Sequence, residues 1–304
     1  MRALLIVNTN AATVTPLKVS VIESALASAS EKVDLMLTKR QGHATHLAKG
    51  AAHEGVDLVV VHGGDGTVNE VANGLAGSDV PLGIIPGGGT NVLARSLGIP
   101  RDPIDATAHL LSGLRSPPRK VPLGRADDRY FAFTCGMGFD GAIVREVERR
   151  QGRKRAVGQG YYVWSGLRLF FGGVDRSAPH LRVRWGPELE HSREGLFVAI
   201  SQKTSPFTYL GNRPMRICPE ARLELGLDLF ATDRFTTGHV LRLVEQMFGS
   251  ARHTRSRHVL YLHDQPSIEI SADRPLPVQM DGEFLGDRER ILLESVPDAL
   301  TLPY

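Results

Sequence analysis

The chain has 304 residues, a formal net charge of +3 and 42% hydrophobic residues, which is the composition of an ordinary soluble protein. Because a single hydrophobic core seldom grows past about 250 to 300 residues, this length predicts two domains. The mildly basic balance fits acidic partners without identifying them. Two cysteines, Cys135 and Cys218, exclude a disulfide framework, so we expect a reducing compartment and buried structural thiols. No segment reaches the roughly 18 apolar residues of a spanning helix, and the first apolar run is too short for a signal peptide.

Residues 1 to about 120 alternate between strand and helix patterns. Strands are predicted at Ala3–Val7 and Val33–Leu37, and helices at about Pro16–Ala29 and Ala44–Ala52. Regular alternation of this kind predicts a doubly wound parallel sheet.

The stretch VDLVVVHGGDGTVNEVANGL, residues 56–75, combines a strand, a glycine turn and a helix. Its β-branched start is typical of a strand buried on both faces of a parallel sheet. Thr67 and Glu70 have the spacing of a capping box, which predicts a helix beginning at about Val68. A glycine turn before a helix N-terminus offers N–H groups and a positive dipole end to an anion. The alternative is an ordinary tight turn between a strand and a helix.

A second unit of the same design follows in PLGIIPGGGTNVLARSLG, residues 81–98. It contains a short apolar strand, three consecutive glycines, and a helix whose predicted N-cap is Thr90 or Asn91. Two such loops at the carboxyl ends of neighbouring parallel strands predict one crevice for a polyphosphate. Asp65, the only charge in the first loop, would repel phosphate unless Mg²⁺ lay between them, so it predicts a Mg²⁺ contact.

Together, GGDGTVNEVANGL and PGGGTNVLARSLGIP resemble the catalytic domain of the diacylglycerol kinase family, which also includes sphingosine and ceramide kinases. The resemblance runs along nearly the whole chain, with a threonine at Thr38, GMGFDG at Gly136–Gly141 and DGE at Asp281–Glu283. It implies a lipid kinase that transfers the γ-phosphate of ATP to a lipid hydroxyl, with diacylglycerol as the first candidate acceptor and phosphatidic acid as the product. The alternatives are a sphingoid-base or ceramide kinase, an NAD kinase, which shares GGDGT, and a catalytically inactive regulator that binds nucleotide or lipid.

Past a linker at Ser116–Pro118 the pattern changes to short alternating runs separated by turn residues, which predicts a β-rich domain. We therefore expect an α/β nucleotide-binding domain over residues 1–120 and an antiparallel, β-sandwich-like lipid-substrate domain over residues 121–290. The resemblance implies that the closing residues 291–304 pack back on the first domain.

The resemblance also assigns roles to individual positions. Glu283 matches the family's proposed general base, and Asp65 is expected to meet Mg²⁺ directly or through water. These catalytic roles could be exchanged, because the equivalent of Asp65 is a candidate base in sphingosine kinases. Asp281 is a second candidate metal ligand, although Asp-Gly between apolar flanks is also a leading hairpin signal. The expected nucleotide-binding residues are Asn8, Thr38, Gly63, Gly64, Asp65, Gly66, Thr67, Asn69, Gly87, Gly88, Gly89, Thr90 and Asn91.

Three stretches qualify this resemblance. Val92 stands where bacterial diacylglycerol kinases commonly have Asp, which removes one active-site carboxylate. Glu224-Leu225-Gly226 replaces an Asp-Asp-Gly turn that often holds a structural metal, so that metal is not expected here. GMGFDG formally matches G-x-G-x-x-G, but it lacks the acidic residue that a dinucleotide site needs about 20 positions further on, so a close-packed turn is predicted.

A cationic cluster, Arg149–Arg155, precedes the aromatic and aliphatic stretch Tyr161–Phe171. This combination suits an anionic membrane surface, and the alternative is a solvated basic loop beside an ordinary core helix. Arg252, Arg255 and Arg257 form a second cluster with the same two interpretations. No aromatic ladder or recognition motif indicates nucleic acid. We therefore expect a cytoplasmic protein that associates peripherally with the inner face of the membrane, meets its lipid substrate there and, as small symmetric dimers are common, forms a homodimer.

Overall fold

The computed structural model describes residues 1–149, 160–172, 178–210 and 213–304. The chain divides into two compact units: Met1–Leu123 with Val296–Tyr304 form unit 1, and Gly124–Ser295 form unit 2. Within the described ranges no helix is long and apolar enough to cross a membrane. Residues 150–155 of the predicted cationic cluster lie outside the described residues.

Unit 1 is built on a parallel sheet. Its strands are β1 (Arg2–Val7), β2 (Lys32–Leu37), β3 (Leu58–Gly63) and β4 (Leu82–Pro86), in the order β2-β1-β3-β4. Strands β3 and β4 are buried along their whole length, as expected for apolar strands covered on both faces. Their carboxyl ends align, because Val7 lies opposite Leu37 and His62, and Gly63 lies opposite Pro86. The predicted parallel α/β sheet is therefore confirmed.

Helices pack on this sheet and follow the local signals of the sequence. They are α1 (Pro16–Ala29), α2 (His43–Glu54), α3 (Asp65–Leu75), α4 (Val92–Ser96) and α5 (Pro103–Gly113). Helix α1 begins after Thr15, whose side chain accepts a hydrogen bond from the Lys18 N–H at 3.3 Å. Helix α5 begins after Asp102, which accepts from the Ile104 N–H at 2.8 Å. Each cap satisfies a donor that the first helical turn leaves open.

The C-terminal segment of unit 1 is tied to it by hydrogen bonds. The Gly77 N–H donates to the Ala299 carbonyl oxygen at 2.9 Å. The Ile84 N–H donates to the Tyr304 hydroxyl oxygen at 3.3 Å, and the Arg119 Nε–H donates to the Tyr304 carbonyl oxygen at 2.7 Å. Burial raises the pKa of the Tyr304 phenol well above its ordinary value.

Unit 2 contains an antiparallel sheet, as the alternating pattern predicts. Its strands are β5 (Arg119–Ala126), β6 (Arg129–Phe131), β7 (Thr134–Gly138), β8 (Leu181–Trp185), β9 (His191–Leu196), β10 (Val198–Gln202), a ribbon of β11 (Thr208–Leu210) and β12 (Arg213–Met215), then β13 (Leu227–Thr232), β14 (Val259–Gln265), β15 (Ser267–Met280) and β16 (Glu283–Leu302). The main order is β14-β13-β10-β7-β15-β16-β5-β6, with β8 paired to β15 and β9. Strands β5 and β16 run from one unit into the other. A core that includes Met137, Leu229 and Ile270 fills the sheet interior.

Helices pack against a second cluster in unit 2. They are α6 (Phe139–Arg149), α7 (Gly160–Gly172) and α8 (Thr237–Phe248), followed by a short 3₁₀ turn at Arg252–Arg255. The cluster includes Phe170 of α7 and Leu243 of α8 with Ile200 of the sheet. Cys135 and Cys218 are buried free thiols, as predicted.

The GMGFDG segment is closely packed, but the predicted turn is wrong: Gly136–Gly138 end β7 and Phe139–Gly141 begin α6. A side-chain carbon on Gly136 would overlap the Asp140 carboxylate, and one on Gly141 would overlap the Pro277 carbonyl oxygen. Gly138 has a φ of +91°, which favours glycine. Protein atoms fill the space beside this backbone, so its glycines are explained by packing.

Candidate active site

Each strand of the unit 1 sheet is followed at its carboxyl end by residues that the sequence singles out. Asn8 follows β1, Thr38 follows β2, and the two glycine loops follow β3 and β4. The Thr38 N–H donates to the Val7 carbonyl oxygen at 2.8 Å, and the Asn8 N–H donates to the His62 carbonyl oxygen at 3.0 Å. All four strands are parallel, but the connection after β1 leads to one side of the sheet and the connection after β3 leads to the other. Open α/β sheets bind ligands at the carboxyl ends of the strands beside such a switch point.

The helix after the first glycine loop begins earlier than the capping box predicts. Helix α3 starts at Asp65, with Gly64 as its N-cap and no side-chain hydrogen bond at the cap. The predicted start at Val68 is therefore wrong. A first turn without a side-chain cap leaves backbone N–H groups for another acceptor, which suits an anion at this end of the helix.

The expected capping box does not form because α3 begins before Thr67, and both of the box's side chains bind other elements instead. Thr67 Oγ1 accepts a hydrogen bond from Asn8 Nδ2 at 2.8 Å. Glu70 Oε2 accepts one from the Ala44 N–H at 3.1 Å, which joins α3 to the start of α2. Thr67 and Asn8 were both predicted to bind nucleotide, and the structure places them in direct contact.

The two glycine loops contact each other through bare backbone. The Gly87 N–H donates to the Gly63 carbonyl oxygen at 2.7 Å. A side-chain carbon on Gly87 would lie 3.0 Å from the Gly63 Cα atom, and one on Gly88 would lie 2.8 Å from the Gly64 Cα atom. Side-chain carbons are not tolerated at such distances from backbone, so the contact between the loops requires glycine.

Asn91 shapes the second loop without capping its helix. It has a left-handed conformation, with φ 49° and ψ 55°, and makes no side-chain cap hydrogen bond to α4. Its Oδ1 accepts from the Gly88 N–H at 2.9 Å, and its Nδ2 donates to the Gly88 carbonyl oxygen at 2.7 Å. The predicted N-cap position is therefore correct, but the side chain closes the loop. Gly89 is exposed and Thr90 is half-buried beside it.

Asp65 connects the first loop to the second. Its Oδ1 accepts a hydrogen bond from the Val92 N–H at 2.6 Å, and the Asn91 and Leu93 N–H groups face the same carboxylate. Burial raises the pKa of Asp65 above its ordinary value, and these N–H groups oppose the rise without cancelling it. Val92, which stands in place of an acidic residue, thus contributes its backbone to Asp65.

The residues around the loops fit Mg²⁺ only if phosphate supplies part of its shell. Among the described residues, no group of three or more His, Cys, Asp or Glu side chains could hold a metal ion. Asp65 offers a single carboxylate. Mg²⁺ commonly binds one or two carboxylates, several waters and substrate phosphates, so this donor set fits an ion that arrives with a nucleotide.

His62 and Asn69 add buried polar groups near the first loop. His62 is fully buried in β3, where its Nδ1 lies 3.2 Å from the Ile85 carbonyl oxygen, and burial lowers its pKa. Asn69, a predicted nucleotide contact, is buried in α3 and accepts hydrogen bonds from Asn73 Nδ2 at its carbonyl oxygen (2.9 Å) and Oδ1 (3.2 Å). His62 was missed, although a lone polar residue in an apolar strand was a visible signal.

Asp281 and Glu283 belong to unit 2, at the turn between β15 and β16. Positive φ values of 48° at Asp281 and 81° at Gly282 confirm the predicted tight hairpin. The Asp281 carboxylate accepts hydrogen bonds from the N–H groups of Ala132 (2.8 Å), Phe133 (3.1 Å) and Thr134 (2.9 Å). These bonds fasten the turn to the segment before β7. Metal binding by Asp281 stays a prediction.

Glu283 is the first residue after this turn and is paired with a cation. Its Oε2 forms an ion pair with the guanidinium of Arg129 in β6, and both side chains are about one-third exposed, at 31% and 32%. An arginine fork orients a carboxylate more strictly than water does. Arg129 was missed by the sequence analysis, and its isolated position between β5 and β7 carried no signal.

The buried polar pair of Gln279 and Asp140 holds the Asp281-Gly282 turn in place through hydrogen bonds. Gln279 Nε2 donates to Asp140 Oδ2 at 2.6 Å, and Gln279 Oε1 accepts from the Gly282 N–H at 3.0 Å. Burial raises the pKa of Asp140 from 3.8 to about 6. The FDG of GMGFDG thus supplies the acid that holds Gln279, a role that sequence spacing does not reveal.

Lys203, which follows β10, reaches the Glu224-Leu225-Gly226 turn, where the family resemblance raised the question of a structural metal. Its ammonium is fully buried and donates hydrogen bonds to the carbonyl oxygens of Leu225 and Gly226 and to Ser295 Oγ, the last two at 3.3 Å. Burial lowers the pKa of Lys203 to about 8, against the attraction of Asp264 and other nearby carboxylates. A positive charge from the chain itself therefore binds the carbonyl oxygens of this turn.

Family models match both parts of the chain. One described as the diacylglycerol kinase catalytic domain matches residues 2–126, and one described as the YegS C-terminal NAD kinase beta sandwich-like domain matches residues 135–303. A diacylglycerol kinase of Bacillus subtilis is 29% identical over 250 residues, which are 81% of this chain and 77% of that protein. A diacylglycerol kinase of Staphylococcus aureus is 28% identical over 268 residues, which are 86% of this chain and 79% of that protein.

Solved structures share the whole fold. The crystal structure of a diacylglycerol kinase from Bacillus anthracis covers 100% of this chain and 96% of its own, with a TM-score of 0.72 and 23% identity. Another solved chain from the same organism has a TM-score of 0.76 and 25% identity, and the match covers 100% of this chain and 97% of that one.

Proposed function

Because the chain belongs to the diacylglycerol kinase catalytic-domain family and is an ATP-dependent lipid kinase, we propose that its acceptor is the hydroxyl group of diacylglycerol. The product would be phosphatidic acid. The observation that carries this acceptor is the similarity to diacylglycerol kinases over 81% and 86% of the chain. The pair of glycine loops, which touch through backbone beside the start of α3, supports the phosphate-donor side.

The proposed phosphate contacts follow from the geometry of these loops. N–H groups of the first turn of α3 and of the second loop would donate to the phosphates of ATP, and the positive end of the α3 dipole would favour their charge. Asn8 and Thr38 would contact the nucleotide from the neighbouring strand ends. Glycine allows the phosphate chain to approach the backbone without meeting a side-chain carbon.

Asp65 would meet Mg²⁺ in this proposal, directly or through water. The bound ion would neutralise charge on the transferring phosphate, and it would favour the ionised form of a carboxylate whose pKa is raised by burial. Asp65 would also keep the second loop in register through the Val92 N–H.

Glu283 is the proposed general base. It would take the proton of the acceptor hydroxyl as that oxygen attacks the γ-phosphorus and the bond from phosphorus to the departing ADP oxygen breaks. Arg129 would act as a positioning residue, because its guanidinium orients the carboxylate. An exchange of roles between Asp65 and Glu283 is the alternative assignment.

The test is transfer of labelled γ-phosphate from ATP with Mg²⁺ to mixed micelles of diacylglycerol, sphingosine and ceramide, with NAD in a parallel reaction. We expect label in phosphatidic acid. Label in another lipid would replace the acceptor, and label in NAD would refute the lipid assignment. ATP binding without transfer to any acceptor would identify a regulator.

Two variants test the assigned residues. Asp65→Ala and Glu283→Gln are each expected to lower the rate by about 100-fold or more, as for loss of charge stabilisation or of a general base. Glu289→Gln is the matched control for Glu283, because Glu289 is an exposed glutamate of the same strand. Full phosphoryl transfer by both active-site variants would contradict the assignment.

A further inference from the structure

Helices α7 and α8 cover one cluster of unit 2 with their inner faces. Phe170 of α7 is buried there with Leu243 and Met247 of α8. The rings of Phe170 and Phe235 are 5.2 Å apart, and Phe235 lies just before α8 in the chain. The two helices therefore need no further partner to bury their inward apolar side chains.

Helix α7 nevertheless carries large apolar side chains on its outer face. Trp164, Leu167 and Phe171 are 46%, 49% and 62% exposed. Their spacing of three and then four residues places them on one side of the helix. Helix α8 repeats the feature with Leu241 and Val244, at 60% and 37% exposure. An amphipathic helix of a protein that meets only water normally has polar residues at such positions.

Positive charge accompanies these apolar side chains. The Arg168 guanidinium lies 5.6 Å from the centre of the Trp164 ring and also pairs with Glu146 at 3.2 Å. Arg242 of α8 is exposed, as is Arg234 shortly before the helix. Helix α7 itself, Gly160–Gly172, has one basic residue, Arg168, and no acidic residue.

We infer that the outer faces of α7 and α8 dock on an anionic lipid bilayer, with Trp164, Leu167 and Phe171 entering the interface between headgroups and acyl chains. This inference rests on the proposed function, since a lipid acceptor must be taken from a bilayer. Aromatic and aliphatic side chains inserted beside arginines are the combination that interfacial helices use. The arginines keep their charge at headgroup level while their stems lie along the apolar side chains.

Trp164 is a built-in reporter for this docking. Trp164 and Trp185 are the chain's two tryptophans, so Trp185→Phe leaves Trp164 as the sole tryptophan signal. We expect its emission to shift to the blue on addition of phosphatidylcholine vesicles with about 30 mol% phosphatidylglycerol, and lipids brominated near the headgroup end of the acyl chain to quench it. Unchanged emission from protein that sediments with these vesicles would overturn the inference. So would a shift with protein concentration alone, which would indicate a second copy.

A double variant tests the same surface by vesicle sedimentation, which does not depend on fluorescence. Leu167→Gln with Phe171→Gln is expected to weaken sedimentation with the same vesicles by at least about tenfold. The matched control is Leu17→Gln with Val21→Gln on α1, whose side chains are 75% and 41% exposed in unit 1. Equal losses in both double variants, or none in the α7 variant, would overturn the inference.

An activity measurement separates this inference from the proposed function. Phosphoryl transfer to a short-chain diacylglycerol in detergent needs no bilayer, so the α7 double variant should retain it. Loss of that activity together with vesicle binding would mean that Leu167 and Phe171 stabilise the fold instead of forming a docking surface, and it would overturn the inference. Vesicle binding with the expected losses, but no transfer to any lipid, would support the surface and refute the proposed function.

Discussion

Gly88→Ala directly tests the contact between the two glycine loops. The new methyl carbon would lie 2.8 Å from the Gly64 Cα atom and 3.0 Å from Asn91 Oδ1. The first neighbour is backbone at the N-cap of α3, and the second is the side chain that closes the loop, so neither can move without a cost. We expect the free energy of unfolding to fall by about 1–3 kcal/mol, as for an overpacked interior site. At about 2–4 °C per kcal/mol, the melting temperature should fall by roughly 2–12 °C.

Gly89→Ala is the matched control, since a side-chain carbon at Gly89 meets nothing within 4 Å. Both variants keep the backbone N–H. The melting temperature of each is measured without nucleotide by circular dichroism, and ATP KM is then compared for Gly88→Ala and the unchanged protein. We expect a higher KM in Gly88→Ala, because a displaced loop no longer aligns its donors. Equal melting temperatures for the two variants would refute the contact between the loops as described.

Four further predictions concern unit 2. The pKa of Lys203 is lowered from 10.5 to about 8, so between these pH values the folded state binds fewer protons than the unfolded state. As the pH rises from 8 to 10.5, the free energy of unfolding measured in urea should therefore increase by about 3 kcal/mol relative to that of Lys203→Met. The pKa of Asp140 is raised from 3.8 to about 6, so between these pH values the folded state keeps a proton that the unfolded state has lost. The free energy of unfolding should therefore fall by about 3 kcal/mol as the pH rises from 3.8 to 6, and Asp140→Asn should abolish this fall. Asp281→Asn should lose about 1–3 kcal/mol in thermal unfolding because N–H groups lose their acceptor, and a Mg²⁺-dependent rise in melting temperature that disappears in this variant would instead support a metal there. Arg129→Gln should lower kcat for lipid phosphorylation and leave ATP KM unchanged, and an unaltered kcat would contradict its positioning of Glu283.

The alternation of strands and helices in unit 1 was readable from sequence because its signals are local. Helix α1 occupies Pro16–Ala29, the predicted range. Its start depends only on neighbouring residues, because Thr15 is the N-cap and proline is favoured at the first helical position. The short apolar strands and the turn residues of unit 2 similarly predicted an antiparallel sheet. The hairpin at Asp281-Gly282 followed from a dipeptide that tolerates positive φ.

The start of α3 shows where local reasoning failed. Thr67 and Glu70 have the spacing of a capping box, but Asn8 and Ala44 offer them hydrogen bonds from other elements. Because α3 already begins at Asp65, Thr67 lies within the helix and is not in a position to cap it. The residues of the loop were predicted correctly from the sequence, but the hydrogen-bond partners of Thr67 and Glu70 were not.

The sequence by itself determined which residues form the strands, the glycine loops and the tight hairpin, because backbone preferences and hydrophobic periodicity act over a few neighbouring residues. Only the tertiary structure decided that Gly88 touches Gly64, that Asp140 holds Gln279, and that the Lys203 ammonium binds the turn ending at Gly226. These contacts join residues far apart in the chain, and burial then sets their energies and pKa values. Distance in space and exclusion of water decide such pairings, and neither is encoded in the spacing of residues along the sequence.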